Sequence, residues 1–361
     1  MRKYLLVLII SGVTAQFSAA QKAGDVFTLQ SGYGFVFRHA DKMGEASRTH
    51  PYFFEASYSR LKNGNREWHK PFRYPEVGIS TGFMNFHTSL LGKAIYAFPY
   101  MEKSLAENDK TKLNLRIGFG GTYLTKRYDA EDNFQNIAIS THLNYLLRGE
   151  FSVNFKLAEN WQLRLASTLT HFSNGGFKQP NSGINIFSIG LGMSYLPDFK
   201  NFKIVTDTFT HQFKKGFSVN LAGAFTIQEI EYPGGKKYFG GNIISYLNYR
   251  LNRKSALNIG SDLFLNSALQ HIISERYTTS PPDYKQAGLT IGHELFINRL
   301  SLLTQLGYYI YAPYPNQAVI YQRYALKYWL GSRFYTAISL KAHFGTAEYT
   351  EWTLGMKIAD F

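Results

Sequence analysis

His171 and Ser173 stand two residues apart in "THFSNGGFKQPNSGIN", which runs from Thr170 to Asn185. A neutral imidazole can take the proton of a serine hydroxyl, and a third polar group can hold the imidazole in the required tautomer. Asn185 closes the stretch and is the candidate for that third part. Asn174 and the N–H groups of Gly175 and Gly176 follow the serine directly, where a developing oxyanion needs donors. The chemistry this set can perform is hydrolysis of a carboxylic ester through an acyl-serine. The bland alternative is a polar strand end, hydrogen-bonded to a loop or to lipid head groups.

Which of these holds depends on what the flanking strands face. Along Trp161–Ser173 one row carries Trp161, Leu163, Leu165, Leu169, His171 and Ser173, and the other carries Gln162, Arg164 and Thr168. Strand side chains alternate with period two, so His171 and Ser173 continue the apolar row. On the next strand Asn185 shares a row with Phe187, Ile189, Leu191, Met193 and Tyr195, opposite Gly190, Gly192 and Ser194. The same alternation recurs at 112–123, 143–157, 255–266 and 334–344, with charges such as Arg116, Arg148 and Glu150 in mid-strand on the polar row.

Segments of roughly 10–13 residues are longer than the usual soluble strand of about 5–6 and match strands that cross a bilayer. Backbone groups in hydrocarbon must be satisfied internally, so such strands have to close into a barrel. Tight connections at 158–160, 252–254, 298–299 and 331–333 alternate with longer ones at 124–141, 174–183, 229–239, 268–286 and 312–321. In outer-membrane barrels the short turns are periplasmic and the long loops extracellular. The expectation is therefore an all-β, antiparallel transmembrane barrel of the outer membrane. It spans residues 21–361 as one domain of about 14 strands, within a range of 12–16. The segment 197–216 is the weak point, being long for a periplasmic connection. Trp161 and Tyr195 read as a periplasmic aromatic girdle. About ten tilted strand residues separate them from His171, Ser173 and Asn185, roughly one hydrocarbon thickness. The trio is thus expected to face lipid at the level of the outer leaflet.

Residues 1–20 read as a signal peptide: Arg2 and Lys3, a short apolar run from Tyr4 to Ala15, and small residues at Ser18 to Ala20. The expected location is the outer membrane of a Gram-negative bacterium after cleavage. Cysteine is absent from the chain, which excludes disulfides and thiolate metal sites. A net charge of +14 would suit nucleic acid or anionic lipid phosphates, and no nucleic-acid motif accompanies it. Lipid is the expected partner, with basic stretches at 62–73, 125–128 and 234–237 as candidate phosphate contacts. Solvated loops explain those stretches equally well.

The stretch "HFSNGGFKQPNSGIN" resembles the active-site signature of the outer-membrane lipid A 3-O-deacylases, the PagL-type acyl hydrolases. His171, Ser173 and Asn174 match it residue by residue, and the resemblance spans about residues 50–200. It implies a membrane barrel whose His and Ser remove an ester-linked acyl chain from lipid A of lipopolysaccharide, with no cofactor and no metal. Two departures stand out. Asn185 occupies the place where the family usually has Glu, and the chain is about twice as long as the family's eight-stranded barrel. An amide in place of a carboxylate can cost roughly 10⁴ in turnover when it leaves the wrong tautomer.

Other motifs carry less. "GISTG" at 78–82 fits a nucleophile elbow, but its flanks continue as strand rather than turning into a helix. "GFGG" at 118–121 lies inside an amphipathic strand with no phosphate-binding Lys after it. His87, His142, His211, His271 and His343 lack metal-ligand spacing. Two rival functions remain open: a non-catalytic porin or transporter with a degenerate motif, and an outer-membrane phospholipase using the same trio. A homodimer also remains open.

Overall fold

The computed structural model describes residues 24–37, 44, 46, 48–205, 213–230, 233–314, 318–344 and 346–361. The expected signal peptide lies outside the described residues. Sixteen strands are present among those residues, and they close as two separate eight-stranded antiparallel barrels. The first barrel comprises β1 (Asp25–Val36), β2 (Tyr52–Leu61), β3 (Glu76–Asn85), β4 (Lys93–Glu107), β5 (Thr111–Leu124), β6 (Leu143–Lys156), β7 (Trp161–Ser173) and β8 (Ile184–Tyr195). The second comprises β9 (Gly216–Glu229), β10 (Lys237–Asn252), β11 (Ser255–Asn266), β12 (Gln286–Ile297), β13 (Leu300–Tyr311), β14 (Ile320–Trp329), β15 (Phe334–His343) and β16 (Thr346–Asp360). One helix, α1 (Ser267–Arg276), follows β11, and the Asn266 side chain caps it by accepting from the N–H groups of Ala268 and Leu269.

The barrel class agrees with the sequence reading, and the strand number falls at the top of the expected range. The closure differs from it. In place of one wide cylinder, β1 pairs with β8 from Phe27↔Tyr195 to Val36↔Ile186. Independently, β9 pairs with β16 through Thr226↔Glu351 and its neighbours. The long segment around 197–216 is the link between β8 and β9. Alternation along a strand tells which residues face in. It does not tell which strand returns to meet the first, and that missing fact separates one barrel of sixteen from two of eight. By compactness, residues Arg127–Tyr145 and Ser173–Gly183 group with Thr210–Phe361, and the remaining residues form the other unit.

Each barrel is narrow, and its interior is filled. Eight strands leave a bore just wide enough for side chains. In the first, Arg116, Arg148 and Arg164 are almost fully buried with Glu55, Glu102 and Glu150. Arg164 Nη2 lies 2.7 Å from Glu102 and 2.5 Å from Glu150, and Arg116 Nε lies 2.7 Å from Glu102. The Arg116 guanidinium stacks 4.0 Å from the Tyr100 ring centroid. The second barrel repeats the device. Arg323 bridges Asp262 at 2.6 Å and Glu351 at 2.9 Å, and Lys327 meets Glu294 at 2.8 Å. Charges at these depths persist because they are paired and hydrogen-bonded. The outer walls carry the apolar rows, with Leu29, Ile79, Ile117, Leu169 and Ile189 exposed on the first barrel and Ile259, Ile291 and Leu354 on the second.

Two outcomes follow from the filled bores. Arg164→Met leaves Glu102 to Arg116 alone and takes from Glu150 its nearest cation, and should lower the unfolding free energy in micelles by about 3–5 kcal/mol. By contrast, Glu107→Gln, which removes a partly exposed pair with Lys112, should change it by less than about 1 kcal/mol. Urea titration of the heat-modifiable band on cold gels measures both. In planar bilayers the purified protein should give no conductance above lipid leak.

Candidate active site

β7 and β8 position the histidine and its partner. Their register pairs Trp161 with Tyr195 at one end and His171 with Asn185 at the other. Arg164, Ala166, Thr168, Thr170 and Phe172 turn into the bore and are buried, whereas Leu165 and Leu169 point outward and are exposed. His171 and Ser173 therefore point outward as well. On β8 the buried row is Ile184, Ile186, Ser188 and Gly190, and Asn185, Phe187 and Ile189 take the outer row. The Trp161 and Tyr195 rings pack 4.7 Å apart, centroid to centroid, at the opposite end. Ten residues at about 3.3 Å each, on a strand tilted by about 45°, span roughly the 25 Å apolar band of such barrels.

Directly opposite in the register, Asn185 Oδ1 lies 2.6 Å from His171 Nδ1. With the amide oxygen facing the ring, the contact is a hydrogen bond when Nδ1 carries the hydrogen, which leaves Nε2 as the nitrogen open to a proton. This is the tautomer a general base to serine requires. The oxygen end of an asparagine can thus do the orienting work of a carboxylate, without its charge.

Ser173 ends β7 and is 7% exposed, tucked under the turn that follows it. Two donors converge on its Oγ: the Gly175 N–H at 3.0 Å and Asn181 Nδ2 at 2.9 Å. Both Gly175 (φ +67°) and Gly176 (φ +84°) occupy the left-handed region, which is what lets the chain fold its N–H back onto the preceding serine. Asn174 does something different from the role its position suggests. Its Nδ2 donates to Ser140 Oγ at 3.0 Å and to the Lys178 carbonyl at 2.8 Å, while its Oδ1 accepts from the Gly176 N–H at 3.1 Å. The side chain is a brace inside the loop. The Gly176 N–H is held by that brace, and the Gly175 N–H is the one aimed at Ser173.

Asn181 and Ser140 escape a reading of the sequence alone. Asn181 lies eight residues after the serine in a polar turn, one asparagine among several. Only the folding back of 174–183 brings its amide to Ser173 Oγ. Its Oδ1 also accepts from the Asn174 N–H at 3.1 Å, which closes the loop on itself. The neighbouring connection supports it: Ser182 and Gly183 N–H groups donate to the carbonyls of Ile137 and Ala138, at 3.3 and 3.0 Å.

Further along the outer wall, a groove of about 430 Å³ opens between Tyr33, Phe54, Leu165, Ile189 and Leu191, with Ser31, Gly32 and Gly190 among its other lining residues. Ile189 and Leu191 lie four and six residues from Asn185 on the same outward row, about 13–20 Å along the strand towards Tyr195. The groove's lining is almost entirely apolar, and small residues on β1 and β8 leave the space. Nearer the loop, Arg127 and Lys178 act on Asp129. The N–H groups of Glu131 and Asp132 chiefly hold its carboxyl below the usual range, and the two cations lower it further.

The other sequence candidates fall elsewhere. Ser80 is fully buried in the bore against Ser57, 2.7 Å away. Gly118–Gly121 lies within β5. The basic stretch 62–73 joins β2 to β3 at the end opposite His171, whereas 125–128 leaves β5 at the same end. No group of three or more His, Cys, Asp or Glu residues is arranged to hold a metal among the described residues.

Comparison with known proteins divides the chain in the same way as its two barrels. The family model described as lipid A 3-O-deacylase (PagL) matches residues 52–194. The model described as acyloxyacyl hydrolase, C-terminal domain, matches residues 216–360. Among solved structures, the crystal structure of the outer membrane enzyme PagL is 18% identical, covering 46% of this chain and 97% of that one, with a TM-score of 0.34. The siderophore receptor PirA from Pseudomonas aeruginosa is 10% identical, covering 95% of this chain and 81% of that one, with a TM-score of 0.22. No curated protein sequence matches the chain.

Proposed function

Because the chain belongs to the lipid A 3-O-deacylase (PagL) family, we propose that it is an outer-membrane serine esterase that removes an ester-linked acyl chain from lipid A. The carrying observation is the His171 Nδ1–Asn185 Oδ1 contact of 2.6 Å. It sits on the outward wall of the first barrel, with Ser173 two residues further along the same row. A histidine held in the base tautomer beside a serine, facing lipid, fits an ester buried at the head-group boundary. It fits no water-soluble substrate entering through a bore.

The reaction runs in two halves. His171 Nε2 takes the Ser173 proton as Oγ attacks the acyl carbonyl, and the carbonyl π electrons move onto oxygen. The Gly175 N–H and Asn181 Nδ2, which converge on Ser173 Oγ at rest, are the donors best placed to receive that charge. Collapse breaks the bond to the sugar oxygen, which leaves with the proton from His171. Water, activated by the same imidazole, then cleaves the acyl-serine and a fatty acid departs into the membrane. Leu169, Phe187 and Ile189 flank the acyl chain, and the groove at Leu165 and Leu191 takes its far end. Arg127 and Lys178 are the cations that would meet lipid A phosphates. The filled bores speak against the porin reading.

Mass spectrometry of lipid A and phospholipids from a Gram-negative host tests the assignment. Lipid A should lose one acyl chain with the wild type and keep it with Ser173→Ala. Loss from glycerophospholipid instead, also dependent on Ser173, would replace the substrate with a phospholipid. Asn185→Leu should lower turnover by about 100-fold or more, since the tautomer is no longer held. Asn185→Glu should raise it about fivefold, because a hydrogen bond to a charged acceptor is stronger by about 1 kcal/mol. Filling the groove with Ser31→Phe should slow release of long acyl chains while leaving short-chain esters near the wild-type rate.

A further inference from the structure

Thr350 lies on the outward row of β16, between Tyr349 and Glu351, both fully buried. The same row continues through Trp352 to Leu354, which is 69% exposed, yet Thr350 is only 4% exposed. What covers it is the turn after the nucleophile. Thr350 Oγ1 donates to the Gly175 carbonyl at 3.0 Å. A Cβ added to Gly175 would come 2.1 Å from that hydroxyl oxygen, and one added to Gly176 would come 2.8 Å from the Glu348 carbonyl oxygen. Two residues on, the Lys237 ammonium sits 3.5 Å from the centroid of the Phe177 ring. Ser173–Gly183 and β9–β16 belong to one compact unit.

The consequence is local and geometric. The peptide plane between Gly175 and Gly176 is held at both ends: its carbonyl by Thr350, its N–H by Asn174 Oδ1 at 3.1 Å. Two consecutive left-handed glycines would otherwise let that plane rotate at little cost. The preceding peptide, whose N–H donates to Ser173 Oγ, is joined to that plane through φ and ψ of Gly175. We infer that Thr350 is a positioning residue for ester hydrolysis: β16 holds the Gly175–Gly176 peptide so that the Gly175 N–H stays aimed at the nucleophile and at the oxyanion formed on it. This rests on Ser173 being the nucleophile, as proposed above. It also gives the C-terminal half a task in the reaction. A donor preorganised for charge that develops only in the transition state acts on turnover rather than on substrate binding.

The full-length protein in micelles tests this with Thr350→Val, which keeps the side chain's shape and removes the donor, and with Thr350→Ser, which restores the donor. Thr350→Val should lower kcat for acyl release about tenfold, the worth of one positioned hydrogen bond, at unchanged KM. Thr350→Ser should return kcat to within about twofold of wild type. Hydrogen exchange of the 173–178 amides should be about tenfold faster in Thr350→Val, with the strand amides of β7 and β16 unaltered. Should valine block folding, Thr350→Ala is read in the same two assays. A wild-type kcat in the donor-free variant overturns the inference, and so does a rise in KM alone. If the wild type shows no release that depends on Ser173, the esterase assignment fails separately. The amide exchange then decides the holding role: faster exchange confined to 173–178 upholds it, and unchanged exchange removes it.

Discussion

A backbone hydrogen bond left unmade in hydrocarbon costs several kcal/mol, and this cost sets the rest of the structure. Strands that cross a bilayer must close, and once they close with eight members the interior is just wide enough for side chains to fill. Polar residues on the inward row have nothing to face but one another. Here they do so in ion-paired clusters. Arg116, Arg148 and Arg164 meet Glu55, Glu102 and Glu150 in one bore, and Arg323 and Lys327 meet Asp262, Glu351 and Glu294 in the other. A filled bore leaves the outer wall and the loop ends as the places where chemistry can occur.

That displacement accounts for the form of the site. The proposed catalytic set lies on a lipid-facing wall, where the membrane rather than a pocket would exclude water. The strand ladder supplies rigidity: His171 and Asn185 are opposite one another in the register, so the ring is oriented by a neighbour that the backbone itself locates. The donors come from a loop, which is less well ordered by nature, and the loop is accordingly braced. Asn174 and Asn181 tie it internally, Ser140 of the neighbouring connection holds Asn174, and Thr350 ties the Gly175 carbonyl. Asparagine recurs in this role because it offers a donor and an acceptor on one short, uncharged side chain.

The resemblance implies a carboxylate at position 185, and the Asn185 found there fits the same economy of charge. A carboxylate beside a lipid-facing histidine must be desolvated along with the acyl chains, while an amide pays less for that position and stabilises the imidazolium less. Under the proposed mechanism the amide keeps the orientation and gives up part of the electrostatic support.

Much of this was legible in the chain itself. Period-two alternation alone placed His171, Ser173 and Asn185 on the outward row and Arg116, Arg148 and Glu150 on the inward one, because side-chain direction along a strand is a local property of the backbone. The alternation of tight and long connections set which end carries the site. Closure was not legible: whether β8 meets β1 or continues to β9 depends on pairing between segments far apart in sequence, and the long link near 197–216 was its only trace. Nor were Asn181, which reaches Ser173, and Ser140 and Thr350, which hold the turn after it, legible there. Each of these contacts involves a loop whose path is decided by left-handed glycines and by packing, and no periodicity runs through a loop. Residue type and spacing thus determined what chemistry was available and on which face. The tertiary structure decided which polar groups surround the serine, since those contacts join residues that only folding brings together.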